Sequence, residues 1–148
     1  MIKIKGASMK NLLKYALFIL CIHFSASKAF AGTETVSGVT PRSTDTGVMY
    51  VNGGIGNEEQ EALKAMRKEY NLQLTFATKG SGEYMSNIHL SIENKSGMTL
   101  FNSKGIGPLF LIQLTPGTYQ VTAKSRDMIQ TKTVSVGNSG IKDLFFYW

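Results

Sequence analysis

The sequence predicts a mostly β fold, an antiparallel β-sandwich of about seven strands with one α-helix near the N-terminus of the domain. Three observations carry this prediction. From Leu72 onward, apolar residues recur at every second position in short runs divided by Gly, Pro, Asn and Asp. The runs are spaced by roughly 8–12 residues, the rhythm of hairpin-linked strands. Only the stretch from Asn57 to Tyr70 in the domain has the spacing of an amphipathic helix.

The elements follow in chain order. Residues 1–31 read as an export signal, with Lys3, Lys5, Lys10 and Lys14 as a basic start and Leu12 to Phe24 as a short apolar core. Ala29 and Ala31 form an A-x-A pattern that places cleavage between Ala31 and Gly32. That core falls short of the roughly 17–25 apolar residues a spanning helix needs. The chain is therefore not expected to span a membrane once the signal is removed. Its expected destination is the periplasm or the exterior of a Gram-negative cell. Met9 offers an alternative start, and Cys21 an alternative lipidation site, although Leu20 stands where a small residue is usual. Cleavage after Ala31 leaves no cysteine, hence no disulfide, thiol nucleophile or thiolate metal site.

Removing the leader changes the charge balance. The whole chain has sixteen Lys and Arg against ten Asp and Glu, but five of the lysines lie in residues 1–31. Eleven basic and ten acidic residues remain, so no nucleic-acid partner is expected. The 117 remaining residues suit one domain. Residues 32–46 are rich in Thr, Ser and Gly and read as a flexible linker, and 47–148 as the sandwich.

Within the sandwich, "VMYVN" reads as a first strand. A helix over about 57–70 follows, with Ala62, Leu63, Met66 and Tyr70 on one stripe and Glu58, Glu61, Lys64 and Lys68 facing water. Asn57 suits the N-cap, and Gln60 three residues later makes a capping-box-like pair. "NLQLTFATKG" and "SNIHLSIENKSG" alternate cleanly, and "MTLFNSKGIG" reads as a shorter edge strand. "PLFLIQL" is apolar at consecutive positions, as a central strand buried on both faces requires. "GTYQVTAKS", "MIQTKTVSVG" and "IKDLFFYW" complete the set, the last burying Leu144, Phe146 and Trp148.

The run "GPLFLIQLTPGTYQVTA" joins an apolar strand to Leu114, Pro116, Gly117 and Tyr119. Pro116 sets the turn, Gly117 is expected in a conformation side chains resist, and Tyr119 starts the next strand with its ring inward. This pattern resembles the carboxypeptidase regulatory-like domains, which are transthyretin-like β-sandwiches. With "YVNGGIG", an acidic helix and an aromatic finish, the likeness covers about Val48 to Trp148 and extends to small exported proteobacterial proteins. It implies an accessory or interaction module and does not imply peptidase catalysis.

Catalytic chemistry is sparsely represented. Gly54 and Gly56 begin a G-x-G-x-x-G spacing, but Glu59 stands at the third glycine and no Gly-Lys-Ser/Thr follows. Glu58, Glu59 and Glu61 in the first helical turn would repel a phosphate. His89 is the one histidine beyond the leader, on the polar side of a strand beside Ser91, and reads as a solvated residue. Asp45, Asp127 and Asp143 are scattered, so neither a metal site nor a cofactor is expected. The expected role is a non-catalytic binding or accessory module acting on an unknown protein or envelope component. A small transthyretin-like hydrolase and a structural subunit joined through strand edges are the alternatives. Candidate contact residues lie on two glycine loops: Gly53, Gly54, Ile55 and Gly56 on the first, and Tyr84 on the second.

Overall fold

The computed structural model describes residues 38–148. The export signal, its cleavage site at Ala31 and Gly32, Cys21, the alternative start and the first part of the expected linker lie outside them. Chain order is β1 (Arg42–Ser43), β2 (Met49–Gly53), α1 (Asn57–Met66), β3 (Leu72–Ala77), β4 (Ile88–Asn94), β5 (Thr99–Ile106), β6 (Leu109–Ile112), β7 (Gly117–Ser125), β8 (Met128–Val136) and β9 (Lys142–Tyr147). The strands form two sheets, ordered β1-β2-β6-β3-β9 and β5-β4-β7-β8. The mostly β, sandwich-like architecture agrees with the two-residue alternation.

Most pairings are antiparallel, but β3 and β9 run parallel, from Leu72 beside Lys142 to Ala77 beside Tyr147. Because β2 and β3 are both antiparallel to β6, they run in the same direction with β6 between them. Parallel strands need a long crossover, and α1 is that crossover. Inward residues alternate identically in parallel and antiparallel strands, so the sequence pattern could not separate the two.

The central position of "PLFLIQL" is confirmed. On β6, Phe110 and Ile112 face the second sheet, while Leu109 and Leu111 face the helix. The inter-sheet core includes Leu72, Leu74 and Phe76 of β3, Ile88, Leu90 and Ile92 of β4, and Phe146 of β9. A second cluster holds Ala62, Leu63 and Met66 of α1, with Tyr70, against Val51, Leu109 and Leu111. Leaving α1 without an apolar stripe would expose the outer face of β2 and β6, so helix and sheet stabilise each other.

Several local expectations are revised. The α-helix ends at Met66 and tightens into a single 3-10 turn, Arg67–Glu69, before Tyr70 becomes extended. Tyr70 nevertheless stays buried on the same cluster, and burial, then the Glu69 charge, raises its phenol above the ordinary 10.0. The N-cap is Gly56 and not Asn57, with no side-chain cap. Gln60 Nε2 instead donates to Gly54 O at 3.2 Å. The edge strand β5 is eight residues long, not short, with register shifts in its pairing to β4. Within the stretch read as linker, Val39 is 2 % exposed in the helix-side cluster, and β1 pairs with β2. The buried valine, the β1–β2 pairing and the hydrogen bonds between Thr44 and Val48 together anchor an otherwise polar segment.

The Pro-Gly-Tyr turn folds as expected in one respect and differs in another. Tyr119 is buried, and its hydroxyl donates to Thr115 O at 2.5 Å, closing the corner into β7. Gly117 is not left-handed. Its missing Cβ leaves space beside the Tyr119 hydroxyl, 3.4 Å from where that carbon would stand.

Candidate functional site

Helix α1 packs on β2 and β6 and leaves the outer face of β3 and β9 partly uncovered. There a groove of about 330 Å³ runs between helix and sheet. Lys64 and Arg67 form the helix wall, Gln73 and Thr75 the floor, and Phe145 and Tyr84 the opposite side. Alternation explains this lining. Leu72, Leu74 and Phe76 point into the core, so Gln73, Thr75 and Ala77 point outward. On β9, burying Phe146 forces Phe145 and Tyr147 outward, where they are 41 % and 46 % exposed. Their rings are parallel to within 5° with centroids 6.0 Å apart. Tyr84 and Tyr147 both pair with Ala77, from opposite sides, so three exposed aromatics share this face.

The groove is electrically balanced. Arg67 donates through one guanidinium nitrogen to Asp143 Oδ2 at 2.7 Å and through the other to Gln73 Oε1 at 3.0 Å. This fork ties the end of α1 to β3 and β9. Lys64 lies 3.8 Å from Glu61. Both are surface pairs worth about 0.2–1 kcal/mol each, so their role is to set charge and position more than stability.

β9 is an edge strand, yet its outer edge is occupied. Lys132 Nζ donates to Phe145 O at 2.6 Å and lies 5.1 Å from the Phe146 ring centroid. Gln130 Nε2 donates to Tyr147 O at 2.5 Å. An inward lysine on a neighbouring edge strand discourages strand addition and holds β9 in place.

Of the residues singled out by sequence, Tyr84 lines the groove, whereas Gly53, Gly54, Ile55 and Gly56 do not. Their loop is organised from within. The N–H groups of Gly54 and Ile55 both donate to Glu59 Oε2 at 2.9 Å, so a protein carboxylate occupies the position an anion would take. Gly53 and Gly54 are buried, whereas Gly56 is exposed and Ile55 projects its side chain, at 69 % exposure. Gly54 has φ +98°, and a Cβ there would lie 2.9 Å from Leu109, while Gly56 has φ +116° with open space around it. Gly54→Ala is therefore expected to lose about 1–3 kcal/mol for backbone strain alone, plus the clash, and Gly56→Ala the strain only. Urea unfolding of the two variants checks this, and equal midpoints would count against it.

His89 lies on the outer face of the second sheet, with both sheets and the core between them separating it from the groove. Its Nε2 is 2.8 Å from Asn102 Oδ1, an amide and not a carboxylate, and Lys124 is its cross-strand neighbour. Among the described residues no three His, Cys, Asp or Glu side chains cluster as metal ligands would. No described helix is long and apolar enough to cross a membrane.

Sequence reading missed Gln73, Thr75, Arg67, Asp143 and Phe145 as a group. One signal was present: in "LFFYW", assigning Leu144, Phe146 and Trp148 to the core puts Phe145 and Tyr147 in solvent. No protein-family model matches this chain, and no curated protein shows significant similarity to it.

Proposed function

We propose that this chain is an exported, non-catalytic binding module, a sandwich of the transthyretin-like, carboxypeptidase regulatory-like kind. On this reading it engages a partner protein or a cell-envelope component through the groove beside β9. One observation carries the reading: Phe145, Tyr147 and Tyr84 stand exposed on one face of a sheet, next to a partly polar groove. Solvated aromatic rings contribute little to folding stability, and aromatic residues are enriched where proteins meet ligands. The leader of residues 1–31 supports a destination in the periplasm or outside the cell.

A photoreactive side chain replacing Phe145 tests the proposal, with one replacing Thr133 on the outer face of the second sheet as control. Envelope fractions are expected to give adducts at position 145 and none at 133. Equal labelling at both positions, or none at 145 in a folded variant, would refute it. The hydrolase alternative requires turnover that disappears in His89→Ala, and the Asn102 partner of His89 gives it little support. The side chains bonded along the β9 edge likewise weigh against assembly through that strand.

A further inference from the structure

We infer that the groove between α1 and β9 takes a neutral saccharide, an oligosaccharide or a sugar unit of a polymer, seated beside Phe145. This deepens the binding-module reading and rests on it. Three features of the groove select this chemistry.

The first is charge. The two cations on the helix wall are already matched, Arg67 by Asp143 at 2.7 Å and Lys64 by Glu61 at 3.8 Å. An anionic ligand would compete with a carboxylate already beside each cation, and a cationic one would meet carboxylates that are already paired. A neutral ligand disturbs neither pair.

The second is the mixture of surfaces. Phe145 and Tyr84 give exposed apolar area over the nearly buried Leu109 and Leu111, and Thr75, Gln73 and Gln60 bring neutral hydroxyl and amide groups into the same groove. Gln73 accepts from Arg67 through Oε1, which leaves its NH2 to donate. Gln60 donates to Gly54 O, which leaves its own carbonyl oxygen to accept. A pyranose ring has C–H faces that stack on aromatic rings and a rim of hydroxyls that both donate and accept. A purely apolar segment would desolvate these amides without replacing their hydrogen bonds, an unfavourable exchange for each.

The third is rigidity and size. Phe145 sits on a strand held by β3 on one side and by Lys132 and Gln130 on the other, so little ordering accompanies binding. The volume of about 330 Å³ is at the small end of ligand sites, which run from roughly 300 to 1,000 Å³. That suits one or two sugar units, with further units extending past Tyr147.

The test is an amide-resolved NMR titration of the purified protein with maltotetraose, cellotetraose and chitotetraose. Polygalacturonate serves as an anionic comparison and a proline-rich peptide as an apolar one. At least one neutral tetrasaccharide is expected to shift amides at Thr75, Tyr84 and Phe145. Its affinity should be insensitive to salt and about tenfold weaker in Phe145→Ala, the loss of one aromatic contact. Phe145→Tyr should retain binding and shows that the strand tolerates substitution. Salt-sensitive binding of polygalacturonate alone, or binding of the peptide alone, would overturn the inference. So would the absence of groove shifts with every neutral sugar. If the sugars fail while position 145 still crosslinks to envelope protein, the ligand class is wrong and the binding-module reading survives. If both fail, both fall.

Discussion

Removal of residues 144–148 is expected to leave the domain unfolded under conditions where the parent is folded. An edge strand is often dispensable, but β9 carries part of the inter-sheet core. Phe146 is fully buried against Phe76, with ring centroids 5.6 Å apart, and Leu144 and Trp148 pack on the same core. Losing one buried phenylalanine side chain costs about 3–5 kcal/mol, against a total stability of about 5–15 kcal/mol for a typical domain. The truncation also opens the β3 ladder and uncovers Phe76. Circular dichroism melts provide the measurement, and a truncated chain that melts like the parent would sink this account of the core. Trp148→Phe is the informative contrast. Among the described residues, Trp148 Nε1 is buried without a hydrogen-bond partner. Phenylalanine keeps a ring against Phe76 and Phe146 and removes that unpaired N–H, so this variant should stay within about 1 kcal/mol of the parent.

Asn71→Ala should be the most damaging polar substitution, at about 2–5 kcal/mol. Asn71 is buried, and its amide reads both backbone groups of Leu114: Nδ2 donates to Leu114 O at 2.6 Å and Oδ1 accepts from Leu114 N at 2.9 Å. Its own backbone is engaged as well, N–H to Ile112 O at 3.4 Å and C=O from Lys142 N at 2.9 Å. The residue thus ties the start of β3 to the end of β6, the following loop and the start of β9. Alanine would strand a buried N–H and a buried C=O, each costing about 1–3 kcal/mol. Asn71→Asp keeps the acceptor but points a carboxylate oxygen at a carbonyl, so it should rescue little at neutral pH. Chemical denaturation resolves the difference, and a loss under 1 kcal/mol for alanine would show that water replaces both bonds.

The importance of Asn71 had no signature in the sequence, where it is one of several asparagines beside a strand. Its role depends on Leu114, 43 positions away. Elements that rest on local periodicity were legible. Alternation in β3, β4, β7 and β9, double-sided burial of β6 and the inward ring of Tyr119 all follow from side chains at fixed offsets. The same arithmetic reaches the outward pair Phe145 and Tyr147 once the inward set is assigned. It fails for pairing direction, because a strand presents the same faces whether its neighbour runs with it or against it. It fails too at the glycine loop, where no spacing rule says that Glu59 folds back onto the N–H groups of Gly54 and Ile55.

The amino-acid order by itself determined the class of fold, the position of the helix and which face of each periodic element turns inward, since burial there follows the period of the element. Only the tertiary structure decided that β9 lies parallel to β3. With that came the groove, because Arg67, Gln73 and Asp143 meet only when the end of α1 passes over that strand pair. The physical reason is distance along the chain. Local periodicity is written in neighbouring residues, whereas a site assembled from residues 67, 73, 84 and 145 depends on packing energies summed over the whole core.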